Sequence, residues 1–196
     1  HTESDKSETC LSFRGRLFAP AWQPALSFCA RSSFGHHARS HKRCLFRDKY
    51  TPIKNMLIIS NNNLEKLYKH AREAYPFECC GILVGLFGDK KEVKEIRGVK
   101  NINKERGHDR YEIDPREFYM VDKDSSKNGL KVIGFYHSHP DHPPRPSAFD
   151  TERAWQSYSY IIISILKGKD LITKSWVLDE GDKSFKEEPL EVKGDV

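Results

Sequence analysis

Residues Gly134 to Asp150 read GFYHSHPDHPPRPSAFD. The segment Lys131 to His139, KVIGFYHSH, reads as a strand that runs into this stretch. A strand alternates its side chains, so His137 and His139 project from one face, about 7 Å apart along the chain, and Ser138 from the other. Pro140, Pro143, Pro144 and Pro146 follow. They prevent a helix and stiffen the loop. Ser147 then reads as a helix N-cap, with Asp150 three residues on, a capping-box-like S-x-x-D. The Asp150 carboxylate is thereby expected at the mouth of the helix, beside the strand end. Two imidazoles and one carboxylate form a three-ligand set that leaves a fourth position for water, the pattern of catalytic rather than structural zinc. An H-x-H pair alone is weak evidence, and S-x-x-D alone is more often a plain cap. Their combination within fourteen residues, at a strand–loop–helix junction, is what carries the expectation of Zn2+.

Outward from this stretch the chain is regular from Met56 onward. Leu57-Ile58-Ile59 is a short strand, and Ser60 or a following Asn caps a helix. Leu64, Leu67, Tyr68, Ala71 and Tyr75 give that helix one apolar face, and Pro76 stops it. Gly81 to Phe87 is a buried-type strand and Val93 to Ile102 another, with Gly88-Asp89 as the turn between. Asp114-Pro115 starts a second helix that contains Phe118, Tyr119 and Val121 and ends at Asn128-Gly129. A third helix is expected over Ser147 to Gln156. Ser159 to Leu166 and Ile172 to Leu178 are strands, and Glu180-Gly181-Asp182 turns into a last short strand near Phe185. Interspersed strands and helices predict an α/β fold, an α-β-α sandwich with a mixed central sheet.

The chain has 196 residues, enough for one domain with a real core. Its 37% hydrophobic and 31% charged content suits a soluble globular protein with some polar excess. No apolar run approaches about 18 residues, so no transmembrane helix is expected. Residues 1–55 hold 10 Lys+Arg against 4 Asp+Glu, and the remaining 141 hold 23 against 24. The net +5 therefore comes from the first segment, and the rest offers no electrostatic case for nucleic acid. SSFGHHARSHKR, residues 32–43, is basic and poor in apolar residues, and predicts disorder. Residues 1–55 accordingly read as a disordered leader or upstream extension, with Met56 as the natural start and 56–190 as the domain. A transit peptide is the competing reading of the leader. His36, His37 and His41 belong to a solvated tail. The five cysteines, Cys10, Cys29, Cys44, Cys79 and Cys80, include no spaced CxxC pair. Neither a disulfide framework nor a zinc ribbon is indicated, and a reducing, cytoplasmic setting is the simpler one.

The segment from His137 to Asp150, H-x-H-P, six residues, then S-x-x-D, resembles the JAMM motif of the JAB/MPN+ metallopeptidases. The resemblance covers about residues 56–180 and implies a cytidine-deaminase-like fold. It also implies an upstream glutamate as catalytic acid/base. Here that glutamate is Glu78, in YPFECCGILVG. By position alone Glu78 would pass for an ordinary carboxylate at a helix end. The short spacing from Glu78 to His137 is similar to the compact bacterial and archaeal branch. That branch is associated with cleavage after the C-terminal Gly-Gly of ubiquitin-like or sulfur-carrier proteins. Such a substrate is the partner the resemblance implies, with an extended tail expected to pair with the strand edge near His137 to His139. In this reading zinc activates water, Glu78 moves its proton, and the Ser147 hydroxyl donates to the oxyanion. A non-catalytic MPN-type scaffold and a RadC-like DNA-associated protein are the alternatives. Cys79 and Cys80 read as buried core residues, His142 and Asp141 as solvated loop residues, Trp155 and Tyr158 as core, and His70 and His108 as structural or solvated. Oligomeric state is not legible.

Overall fold

The computed structural model describes residues 56–88, 90–179 and 181–195. The leader expected over residues 1–55 lies outside them, as do Asp89 and Glu180 of the two expected turns. In chain order the elements are β1 (Leu57–Ser60), α1 (Asn61–Ala74), β2 (Cys80–Leu86), β3 (Lys91–Val99), α2 (Pro115–Lys127) and β4 (Lys131–Pro140). They continue with α3 (Ala148–Arg153), β5 (Ser159–Leu166), β6 (Asp170–Leu178), β7 (Phe185–Glu188) and β8 (Leu190–Lys193).

All eight strands lie in one sheet, ordered β7-β6-β5-β4-β2-β3-β1-β8. It is mixed: β4 runs parallel to β5, and β1 parallel to both β3 and β8. The other neighbours are antiparallel. β7 and β8 stand at opposite ends of this order, yet only Pro189 separates them in the chain. One residue spans at most about 3.6 Å. The end of β7 therefore lies next to the start of β8, which draws the two ends of the order together and curls the sheet.

The helices cover the two faces. Ser60 caps α1, its Oγ accepting from Asn63 N at 3.2 Å. Leu67 and Ala71, four residues apart on one stripe, are fully buried. They pack with Leu57, Ile59, Leu83, Ile133, Ile161 and Ile163. α1 touches β3, β1 and β8 from one half of the sheet and β5 from the other, so it fills the concave side. Asp114 caps α2 through Arg116 N at 2.8 Å, with Pro115 in the first turn. Phe118 and Val121 of α2 pack on Ile82, Val132, Phe135 and Tyr160 from the other face. Gly129, at φ +69°, lets the chain reverse into β4.

Three expectations need correcting. The third helix ends at Arg153, not Gln156. The reason is Tyr160: its hydroxyl accepts from Trp155 N at 2.6 Å and donates to Trp155 O at 3.1 Å, taking the groups that further helix would use. Trp155 therefore lies beyond the helix and is 43% exposed, edge-on to Phe118 and Phe135, rather than core. β3 runs from Lys91 to Val99, because its start pairs with β1 and the chain leaves the sheet before Asn101. β8, Leu190–Lys193, was not expected: LEVK mixes apolar and charged residues, where β1 is a run of apolar ones.

Candidate metal centre

Strand register builds the site. β2 runs antiparallel to β4 with Cys80 opposite His137. One step further, Ser138 N donates to Cys79 O at 3.0 Å and Cys79 N donates to Ser138 Oγ at 2.8 Å. Beyond the end of the ladder the same direction of chain carries Glu78 to His139, with Oε1 4.0 Å from Nε2. Directly opposed residues share a face, so Glu78, His137 and His139 converge while Ser138 and Cys79 point the other way. On its other side β4 pairs with β5, setting His137 against Ile162 and His139 against Ser164.

The proline loop is tied down at both ends. Asp141 N donates to Ile165 O at 2.9 Å, and the Asp141 carboxylate accepts from Tyr75 Oη at 2.9 Å and Lys167 N at 2.7 Å. Although exposed, Asp141 thus joins three segments. Trp176 Nε1 donates to Pro144 O at 3.1 Å. The loop so held returns the chain to the end of β4, where Ser147 caps α3. Ser147 Oγ accepts from Asp150 N at 3.1 Å, and Asp150 Oδ2 accepts from Ser147 N at 2.7 Å, a complete capping box.

His137, His139 and Asp150 present ligand atoms that all lie within 4.8 Å of one another, the only such group among the described residues. The two Nε2 atoms are 2.9 Å apart. His137 Nε2 is 3.4 Å from Asp150 Oδ1, and His139 Nε2 is 3.8 Å from Asp150 Oδ2 and 4.0 Å from Glu78 Oε1. All four side chains are buried. His139 Nδ1 lies 3.0 Å from Pro143 O. A carbonyl only accepts, so Nδ1 carries the hydrogen, and in the neutral ring Nε2 presents its lone pair to the centre. Asp150 Oδ2 is occupied by Ser147, which leaves Oδ1 for the centre. His137 Nδ1 is buried and has no partner. Its ring can place at most one proton among several converging acceptors. A cation satisfies such a cluster, and the nitrogen and carboxylate donors are those zinc takes. These residues fit a zinc ion.

Electrostatics follow from burial. Burial lifts the Glu78 carboxyl to about 8, with His139 opposing and Asp150 adding to the rise. Burial likewise lowers His137, against the pull of Asp150. For His139 burial works downward, but Asp150, the Pro143 carbonyl and Glu78 outweigh it and the pKa is raised. Burial disfavours ionised Asp150, yet the two imidazoles and Ser147 hold it well below the usual carboxylate range.

Other expectations are settled by position. Cys79 and Cys80 are buried, and burial lifts the Cys79 thiol to about 11 and Cys80 higher still. Both are protonated core residues at neutral pH. His70 is structural, its Nδ1 2.8 Å from Tyr136 Oη. His108 and His142 are exposed. At His137 β4 is paired on both sides, to β2 and to β5, so the strand edge expected there for a substrate tail is closed. Two residues were missed. Tyr111 stacks on His137, centroids 4.4 Å apart and planes 24° from parallel. Asn101 hydrogen-bonds the Glu78 carbonyl at 3.3 Å. Both lie in the irregular segment after β3, where no period or motif marks them.

The sequence profile of prokaryotic homologs of the JAB domain matches residues 60–179, which include Glu78, His137, His139, Ser147 and Asp150. The chain is 39% identical over 105 residues to the desampylase of Haloferax volcanii, covering 51% of this chain and 74% of that one. It is 27% identical over 128 residues to a probable TtuB-protein conjugate cleaving protease of Thermus thermophilus, covering 65% and 80%. A solution structure of a protein from Desulfitobacterium hafniense superposes with a TM-score of 0.64 at 34% identity, covering 72% of this chain and 95% of that one.

Proposed function

Since the chain belongs to the family of prokaryotic JAB-domain homologs, we propose that it is a zinc-dependent isopeptidase acting after the C-terminal Gly-Gly of a ubiquitin-like or sulfur-carrier protein. The observation that carries this reading is the buried convergence of His137, His139 and Asp150, with Glu78 Oε1 4.0 Å from His139 Nε2. The names of the Haloferax and Thermus relatives support a conjugate of a small ubiquitin-like protein as substrate. Residues 56–190 are the proposed catalytic domain. The assembled donor set favours an enzyme over a non-catalytic scaffold.

His137, His139 and Asp150 would hold the ion. Bound there, zinc supplies Lewis acidity and makes water nucleophilic at neutral pH. Glu78 moves protons: its Oε1 accepts one from the attacking water and returns it to the departing amine. Burial raises the proton affinity of Glu78 above that of an exposed carboxylate, which is the direction a general base needs. The imidazole of His139 is oriented by its bond to Pro143 O. Ser147 has one hydroxyl proton, which it donates to Asp150 Oδ2 at 2.6 Å. Rotating that hydroxyl toward a developing oxyanion leaves Oδ2 still bonded to Ser147 N. Ser147 is therefore the proposed oxyanion donor. The four side chains of the centre are buried, and a Gly-Gly tail without side chains suits a buried centre.

The test uses the purified chain and a panel of small ubiquitin-like proteins carrying C-terminal adducts, read by mass spectrometry. Cleavage after Gly-Gly is expected to stop with a zinc chelator, to return with added zinc, and to ignore thiol alkylation. His137→Ala, His139→Ala and Asp150→Ala are each expected to lose bound zinc. Activity that survives chelation and dies on alkylation would overturn the proposal.

A further inference from the structure

Asn101 lies just past the end of β3, in the segment before α2 that carries Tyr111 onto His137. Its side-chain amide is half-buried and makes four hydrogen bonds. Oδ1 accepts from Asn103 N at 3.0 Å and Glu112 N at 3.1 Å. Nδ2 donates to Arg110 O at 2.9 Å and Glu78 O at 3.3 Å. A primary amide has two donor hydrogens and two acceptor lone pairs, so this group is saturated. All four partners are backbone atoms, and they belong to three separate stretches of chain.

Each stretch bears on the centre. Glu78 is the first. Its carbonyl is bound by Asn101, and its N–H donates to Gly107 O at 2.8 Å, inside the segment that Asn101 organises. Glu78 precedes β2 and has no complete strand ladder of its own to fix it. The second stretch is Arg110 to Glu112. Asn101 bonds the residue on each side of Tyr111, and Ile102 N donates to Glu112 O at 3.0 Å. Tyr111 is thereby held in place, and its ring lies flat on His137. The third stretch, Asn101 to Asn103, is the turn from which the other two are held.

We infer that Asn101 is a positioning residue: its amide sets Glu78 beside His139 and Tyr111 against His137, and so aligns the centre without touching it. This rests on the assignment of Glu78 as the acid/base. No other described side chain joins the backbone of Glu78 to that of the Tyr111 segment. Replacing the amide removes a geometric restraint, not a ligand, so metal content should persist while turnover falls.

The test compares Asn101→Asp and Asn101→Ala with the parent chain. Asn101→Asp keeps the two acceptor contacts and replaces the donor by a carboxylate oxygen, which repels Glu78 O and Arg110 O while the turn contacts remain. Two readouts are needed. In the metal-free protein, the ring protons of His137 should carry an upfield NMR shift from the stacked Tyr111, identified by its disappearance in Tyr111→Leu. Both Asn101 variants are expected to lose most of that shift while staying folded by circular dichroism. On a cleavable Gly-Gly conjugate, kcat should fall about 10- to 100-fold with KM changed less than about 3-fold, the size of effect that misplacing a catalytic group produces. An unchanged His137 shift in folded Asn101→Asp would overturn the inference, whatever the activity. Parental kcat in either folded variant would overturn it as well. Should the parent cleave no conjugate, the proposed function fails, and the NMR comparison alone decides the role of Asn101.

Discussion

At the scale of single residues, Glu78 has the most to report. Its pKa is raised from an ordinary 4.5 to about 8, chiefly by burial. A carboxyl raised in the fold contributes stability that is fully present below its unfolded value and is lost as pH climbs through the folded one. Metal-free protein should therefore lose stability between about pH 4.5 and 8. Each pKa unit corresponds to about 1.36 kcal/mol, so the loss is on the order of a few kcal/mol. Glu78→Gln removes the ionisation. The metal-free variant should melt close to the parent at pH 5 and above it at pH 8. A melting gap that does not widen with pH would refute the burial argument. The same variant should keep zinc and lose activity by about 10²-fold or more, because proton transfer is gone while the ligands stay. Near-parental turnover would end the acid/base assignment. His137, His139, Ser147 and Asp150 were legible in the sequence because all four sit within fourteen residues, where local geometry alone nearly brings them together. Glu78 was not legible from its own surroundings, since His139 is 61 residues away and only the tertiary fold brings the two together.

At the scale of elements, the site depends on how closely β4 lies to β5. Gly134 faces Ser159 across this parallel pair, and a Cβ there would collide with the Ser159 backbone. Backbone atoms cannot swing aside as a flexible side chain does. Gly134→Ala should push the two strands apart, at a cost of roughly 1–3 kcal/mol typical of overpacking. Because His137 and His139 ride on the same strand, zinc affinity should fall with it. The check is thermal melting of the metal-free variant together with a zinc titration. A variant with parental melting temperature and zinc affinity would show that the strands absorb the methyl group. The helix starts at Ser60, Asp114 and Ser147 were readable because a cap is a local bargain between one side chain and the next turn. The end of α3 was not, because a tyrosine beyond the helix, Tyr160, claims the backbone groups of Trp155.

At the scale of the whole molecule, the curled sheet encloses a polar cluster near the seam. Lys91 Nζ donates to Ser159 Oγ at 3.0 Å and lies 4.0 Å from Glu188 Oε1, while Ser175 Oγ donates to Glu188 Oε2 at 2.7 Å. Both charged side chains are buried. Glu188→Ala leaves the ammonium without its counter-charge and should destabilise by about 3–5 kcal/mol. Denaturant unfolding measures this, and a change below about 1 kcal/mol would mean that Lys91 escapes to solvent. A chain beginning at Met56 is expected to unfold cooperatively and to retain the proposed activity, since Leu57 and later residues of the described part already form a core. Loss of the cooperative transition on truncation would place residues 1–55 in the fold. What the sequence determined by itself is everything local: the apolar stripe of α1, the buried-type strand GILVG, the caps, and a histidine pair and carboxylate on one strand–loop–helix junction. These depend on neighbours a few residues apart, whose geometry the chain's own periodicity dictates. Only the tertiary structure decided the approach of Glu78 to His139, the pairing that closes both edges of β4 at His137, and the amide of Asn101 that spans three stretches. It also decided the return of β8 to β1. Such contacts join residues far apart in the chain, and their energy exists only once the sheet has closed around them.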